Sequence, residues 1–74
     1  MKGKIKKIHT GKTFCFIAAE DGVEYFLHRD SYQGFWDDLL EDTSKGIEIF
    51  VEFTPMPSGR GPRASEAKRI DFPN

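Results

Sequence analysis

An all-β domain of five short strands is what this sequence predicts, on three observations. Apolar and polar residues alternate with a period of two in several short runs, most clearly from Ile47 to Phe53. Those runs are bounded by segments rich in glycine, proline, serine and aspartate. Only one connection, the longest, offers the start of a helix.

The first strand is lysine-rich, Lys4-Ile5-Lys6-Lys7-Ile8, and His9-Thr10-Gly11-Lys12 turns the chain into a second strand from Thr13 to Ala18. Glu20-Asp21-Gly22 makes the next turn. The third strand runs from Val23 to His28, with Tyr25 and Leu27 on one face and Glu24, Phe26 and His28 on the other. Asp30-Ser31 can open a helix, and Phe35-Trp36-Asp37-Asp38-Leu39-Leu40 can hold a short helical turn before Lys45-Gly46 closes the connection. In the fourth strand Ile47, Ile49, Val51 and Phe53 alternate with Glu48, Phe50 and Glu52. The stretch from Pro55 to Pro62 reads as a loop too rich in proline and glycine for a ladder, and a last strand runs from Arg63 to Ile70. Three strands joined by tight turns, a long third connection and two further strands fit a five-stranded antiparallel Greek-key barrel, the OB-fold. On strand count alone an SH3-like barrel is the rival. With no repeat and no linker, a single domain is expected to span residues 1–74.

A chain of 74 residues buries roughly 60% of the surface its unfolded form exposes, so its stability is expected to be modest. The single cysteine cannot close an internal disulfide, and no segment has the tripartite form of a secretory signal, which points to a reducing cytoplasm. Apolar runs are far shorter than the roughly 20 residues that span a bilayer, so no membrane role is indicated. Net charge is −1, but its distribution is uneven. Residues 1–19 hold five lysines and no acid, residues 20–52 hold ten acids against two bases, and four bases face two acids from 53 onward. If the two basic ends lie side by side they form a positive stripe; otherwise they solvate strand edges.

The stretch Lys12-Thr13-Phe14-Cys15-Phe16-Ile17 is apolar on both faces. A small domain has one core to fill, so such a strand is either completely buried or shows one apolar face to a partner. These residues resemble the motif Lys-Gly-Phe-Gly-Phe-Ile of bacterial cold-shock proteins, and Tyr25-Phe26-Leu27-His28 resembles that family's second motif, Val-Phe-Val-His. The opening Met1-Lys2-Gly3-Lys4-Ile5-Lys6 and the later Arg60-Gly61-Pro62-Arg63-Ala64 are similar to the same family, so the resemblance covers roughly residues 2–70 in order. It implies a five-stranded barrel that binds single-stranded RNA and DNA, often as an RNA chaperone.

Physical reasoning about the residues leads the same way. Every base has a flat π face, so aromatic rings on a sheet can stack bases of any identity. If the second and third strands pair as a hairpin, Phe14, Phe16, Phe26 and His28 project from one face, and Cys15, Ile17, Tyr25 and Leu27 point into the barrel. The inverted arrangement, with the phenylalanines as core, leaves Ile, Leu and Tyr outside and is the poorer fit. His28 is either a structural histidine or a group that stacks on or hydrogen-bonds a base. Lys4, Lys7 and Lys12, with Arg63, are candidates for the phosphates, since neutralising a polyanion releases counterions. The chain also departs from the family. It has Lys7-Ile8-His9 where Trp-Phe-Asn is usual, Arg29 where the second motif ends in an aromatic, and Thr13 and Cys15 at motif glycines. Lys7 and Arg29 then substitute charge for stacking, and a guanidinium plane can itself stack on a base. In the long connection, either Phe35 or Trp36 extends the platform, or the pair clamps the loop to the barrel.

Catalysis is not indicated. His9, His28 and Cys15 lack metal-ligand spacing, alternation turns Cys15 away from His28, and the acids Asp37, Asp38, Glu41 and Asp42 adjoin on a loop with no cleft between them. The sequence therefore predicts a monomeric, non-enzymatic binder of single-stranded RNA or DNA with low sequence specificity, with no cofactor, no metal and no small-molecule substrate. The competing class is a protein-interaction module that docks a partner through the acidic segment 37–42 with Phe35 and Trp36.

Overall fold

The structure is a computed structural model that describes residues 1–6, 8, 11–57, 59 and 61–71. Among these residues five strands form, β1 (Lys2–Ile5), β2 (Phe14–Ala19), β3 (Glu24–His28), β4 (Phe50–Met56) and β5 (Arg63–Ile70), with a 3₁₀ turn at Arg29–Ser31 and one helix, α1 (Trp36–Ser44). They close a barrel in the order β1-β2-β3-β5-β4, the all-β Greek-key OB-fold that the strand pattern predicts. β1, β2 and β3 form an antiparallel meander, β4 returns to pair with β1, and β5 pairs antiparallel with β4. Closure between β3 and β5 is parallel and thin. It rests on one register pair, Phe26 with Arg63, with the bridge Tyr32–Ala67 beyond it.

Alternation sets the core. Ile5, Cys15, Ile17, Tyr25, Leu27, Val51 and Phe53 point inward, and Ile8, Ile49, Trp36 and Leu39 join the core from outside the strands. Tyr25 keeps its ring in the core against Phe53, centroids 5.0 Å apart, and its hydroxyl donates to Asp21 at 2.7 Å. That bond, together with one from the Val23 amide, holds the Asp21 carboxyl below its ordinary value. Burial pushes the Cys15 thiol up to about 12, so it stays protonated and behaves as a small hydrophobe.

β1 begins two residues earlier than its lysine-rich pattern suggests, because Gly3 is a packing requirement there and no breaker. Gly3 lies between Ala19 on β2 and Val51 on β4, and a Cβ there would stand 2.5 Å from Ile17 Cγ2 and 2.9 Å from the Ala18 carbonyl oxygen. Backbone cannot yield as a flexible side chain can. Gly3→Ala is therefore expected to destabilise the fold by about 1–3 kcal/mol, read from denaturant unfolding.

β4 is shifted the other way. The helix ends in a Schellman motif, in which the Gly46 amide donates to Thr43 O at 3.1 Å and the Ile47 amide to Asp42 O at 3.0 Å, with Gly46 at φ +77°. Ile47 is consumed in that cap and sits half exposed instead of starting the strand. At the far end β4 continues through Pro55 and Met56, which pair with Ala64 and Arg63, contrary to the expectation that proline bars a ladder there. Pairing with β1 ends at Glu52, so Pro55 has a strand on one side only and its missing N–H is tolerated. Glu66, at φ +51°, is the extra residue of a bulge opposite Phe53. The bulge lets Ala64 and Ala67, three apart, both face the core.

No helix among the described residues is long and apolar enough to cross a membrane.

Candidate nucleic-acid interface

The β2–β3 register sets Phe14 opposite His28 and Phe16 opposite Phe26, with Cys15 opposite Leu27 and Ile17 opposite Tyr25. Successive side chains alternate, so the second pair of couples is buried and the first lies on the outer face. Phe14 and Phe16 are 36% and 41% exposed, whereas Ile17 and Leu27 are fully buried, which places the phenylalanine face outside. Phe26 is the hub. Its ring stacks on Phe14 with centroids 5.4 Å apart and meets Phe16 edge-on at 6.0 Å, and Phe14 meets Phe16 edge-on at 6.3 Å.

Arg63 joins this face through the parallel closure. Its guanidinium carbon lies 5.7 Å from the centroid of the Phe26 ring, a cation–π contact. Together Phe16, Glu24, Phe26, His28, Gly61, Pro62 and Arg63 line an open groove of about 510 Å³. A contiguous apolar surface with a rim of polar groups has the makeup of an interaction site.

His28 ends β3, and its Nδ1 accepts the Asp30 amide at 3.1 Å. In the neutral ring that leaves the proton on Nε2, a donor on an already oriented imidazole that lines the groove. Arg29 follows in the 3₁₀ turn, tied to the start of β2 by its amide bond to Thr13 O at 2.7 Å. Lys12 is exposed one turn before Phe14. Among the described residues no acid forms an ion pair with Lys12, Arg29 or Arg63. These three are free to meet a phosphate; Lys68, on β5 opposite Glu52, likewise forms no ion pair among the described residues.

The lysines of the first strand and the residue after it are engaged. Lys4 Nζ donates to Glu48 at 2.8 Å, and Lys6 Nζ donates to Glu24 at 3.2 Å. Both pairs are exposed and weak, so an incoming anion can displace the carboxylate. Lys6 is the residue that the sequence does not single out. Its amide bonds Phe16 O at 2.9 Å, which sets it beside the platform, whereas Lys4 lies opposite Ala18, one outward position further off. Only the β1–β2 register reveals this. Lys7, and with it most of the segment Lys7-Ile8-His9, lies outside the described residues, as does Arg60. The two basic ends do not lie side by side, because β4 stands between β1 and β5.

Phe35 and Trp36 part company. Phe35 is 79% exposed at the cap of α1. Trp36 is buried against Tyr32, ring centroids 6.2 Å apart, and its Nε1 donates to Lys12 O at 3.3 Å. As a candidate for contact with a base Trp36 is therefore withdrawn. It is the clamp that holds α1 and the Lys12 turn to the barrel, because α1 runs nine residues and buries its i and i+3 positions, Trp36 and Leu39.

No protein-family model matches the chain. Individual proteins do. It is 31% identical over 70 residues to the cold shock-like protein CspC of Bacillus cereus, across 95% of this chain and 100% of that protein. It is 36% identical over 70 residues to "Probable cold shock protein A" of Mycolicibacterium smegmatis, across 93% of this chain and 97% of that protein. With that likeness running the length of both chains and the five-stranded barrel that carries it, the chain belongs to the bacterial cold-shock protein family.

Proposed function

We propose that the protein binds unpaired RNA or DNA on the outer face of β2 and β3, with little sequence preference, and acts as an RNA chaperone. The observation that carries this is the gathering of Phe14, Phe16 and the half-buried Phe26 into one cluster on the outer face with centroids 5.4–6.3 Å apart. Bases stack on the three rings, each worth about 1–3 kcal/mol. His28 Nε2 donates to a base edge, and Lys12, Arg29 and Arg63 neutralise the backbone. A protein that binds only the open strand shifts the equilibrium of a weak hairpin towards it, so melting needs neither ATP nor a cofactor. Membership of the cold-shock family supports this reading over a protein-docking role for the acidic segment.

Titration of a fluorescent heptathymidine at two salt concentrations tests it. Saturable binding is expected, weakening with salt with a logarithmic slope of about −2 for three neutralised phosphates. Phe16→Ala should lower the affinity without altering the fold. Absence of binding at low salt overturns the proposal.

A further inference from the structure

A second aromatic position lies round the barrel from the platform. Val51 and Phe53 on β4, and Ile49 just before it, face inward, so Phe50 faces out, with Glu48 two residues before it and Glu52 two after. The registers carry the outer face on from the platform without a break. Phe16 is followed on that face of β2 by Ala18, Ala18 pairs with Lys4 on β1, and Lys4 pairs with Phe50. Two strand spacings and two residues along put Phe50 ~12 Å from Phe16 over the surface. Ala18 is small and exposed, and the Lys4 side chain next to it is drawn towards Glu48 by its ion pair.

Phe50 forms one wall of a shallow depression of about 410 Å³ that Lys4, Ala18 and Glu20 also line. The depression carries charge of both signs. Lys4 Nζ is 2.8 Å from Glu48 Oε1, Glu20 accepts the Lys2 amide at 2.9 Å, and Lys2 lines the depression with them. An aromatic wall among acids as well as lysines suits the flat, neutral part of a nucleotide better than its phosphate.

We infer that Phe50 is a further nucleobase subsite, which a strand longer than the central platform reaches by crossing Ala18 and Lys4. The inference rests on the reading of β2 and β3 as a surface for unpaired strands. One base stacks on Phe50, beside the alkyl stem of Lys4, and the phosphates stay with the basic groups of the main face. The subsite adds length dependence to binding and leaves its salt dependence alone.

Titration of fluorescent oligothymidines of four and ten nucleotides, at two salt concentrations, tests the inference. Phe50→Ala is expected to weaken the decamer about tenfold, the weight of one stacked base, with the tetramer changed less than about twofold and the salt slope unmoved. Phe50 is half-buried, so Phe50→Leu, which keeps the apolar cover but removes the π face, is measured beside it and should lose as much; Phe50→Tyr should lose nothing. Equal losses for the two lengths, no loss for either, or a shallower salt slope would overturn the subsite while the central platform stands. If the unmodified protein binds neither oligomer, the platform and the subsite fall together.

Discussion

Phe26→Ala is expected to weaken binding of an unpaired heptathymidine by about 1–3 kcal/mol, towards the upper end of that range, while the melting temperature hardly moves. Two features set the direction. Phe26 stacks on Phe14 and buttresses Phe16, so truncation removes one stacking surface and loosens the other two. It also removes the ring over which the Arg63 guanidinium lies, which frees that side chain from its place on the groove. Stability is spared because the ring sits on the outer face, with Tyr25 and Leu27 supplying the core side of the same strand. A large fall in melting temperature with little change in affinity would return Phe26 to the core and remove the proposed site.

Trp36→Ala should act the other way. Loss of a buried indole costs about 3–5 kcal/mol, against a total of roughly 4–11 kcal/mol for a chain of this length. A fall in melting temperature of more than about 12 °C is expected, measured by circular dichroism. Part of the loss is local, since the bond from Nε1 to Lys12 O is what fixes α1 to the turn before Phe14. Phe35→Ala, one residue away, should leave stability within about 0.5 kcal/mol. Should the two variants melt alike, the division of labour between these neighbours is wrong.

How much the sequence reveals depends on the range of the interaction involved. The face of Phe14, Phe16 and Phe26 is legible because alternation is a local property, and Cys15, Ile17, Tyr25 and Leu27 supply a competing apolar set that must go inside. The start of β1 is not legible, because Gly3 looks like a breaker until Ile17 and Ala18 are seen to press on it from the neighbouring strand. Lys6 is hidden for the same reason: its place beside Phe16 is a fact of register between strands whose separation in sequence leaves register open. Phe35 and Trp36 are equally apolar neighbours in one loop. Which of them is buried follows from where α1 starts, and Phe35 offers no side-chain cap that would mark the boundary. Pro55 misleads because proline forbids a ladder only where strands lie on both sides.

The thin closure of the barrel between β3 and β5 has a consequence for how the protein responds to its ligand. Phe26 contributes both the register pair of that seam, with its amide bonded to Pro62 O at 3.1 Å, and the hub of the aromatic face. The groove straddles the join, with Phe16, Glu24 and His28 on one bank and Gly61, Pro62 and Arg63 on the other. On the proposed function a strand lying there would act as a staple. Occupying the groove and keeping the barrel shut would be one thermodynamic event, with bound strand reinforcing the least secured joint of the domain.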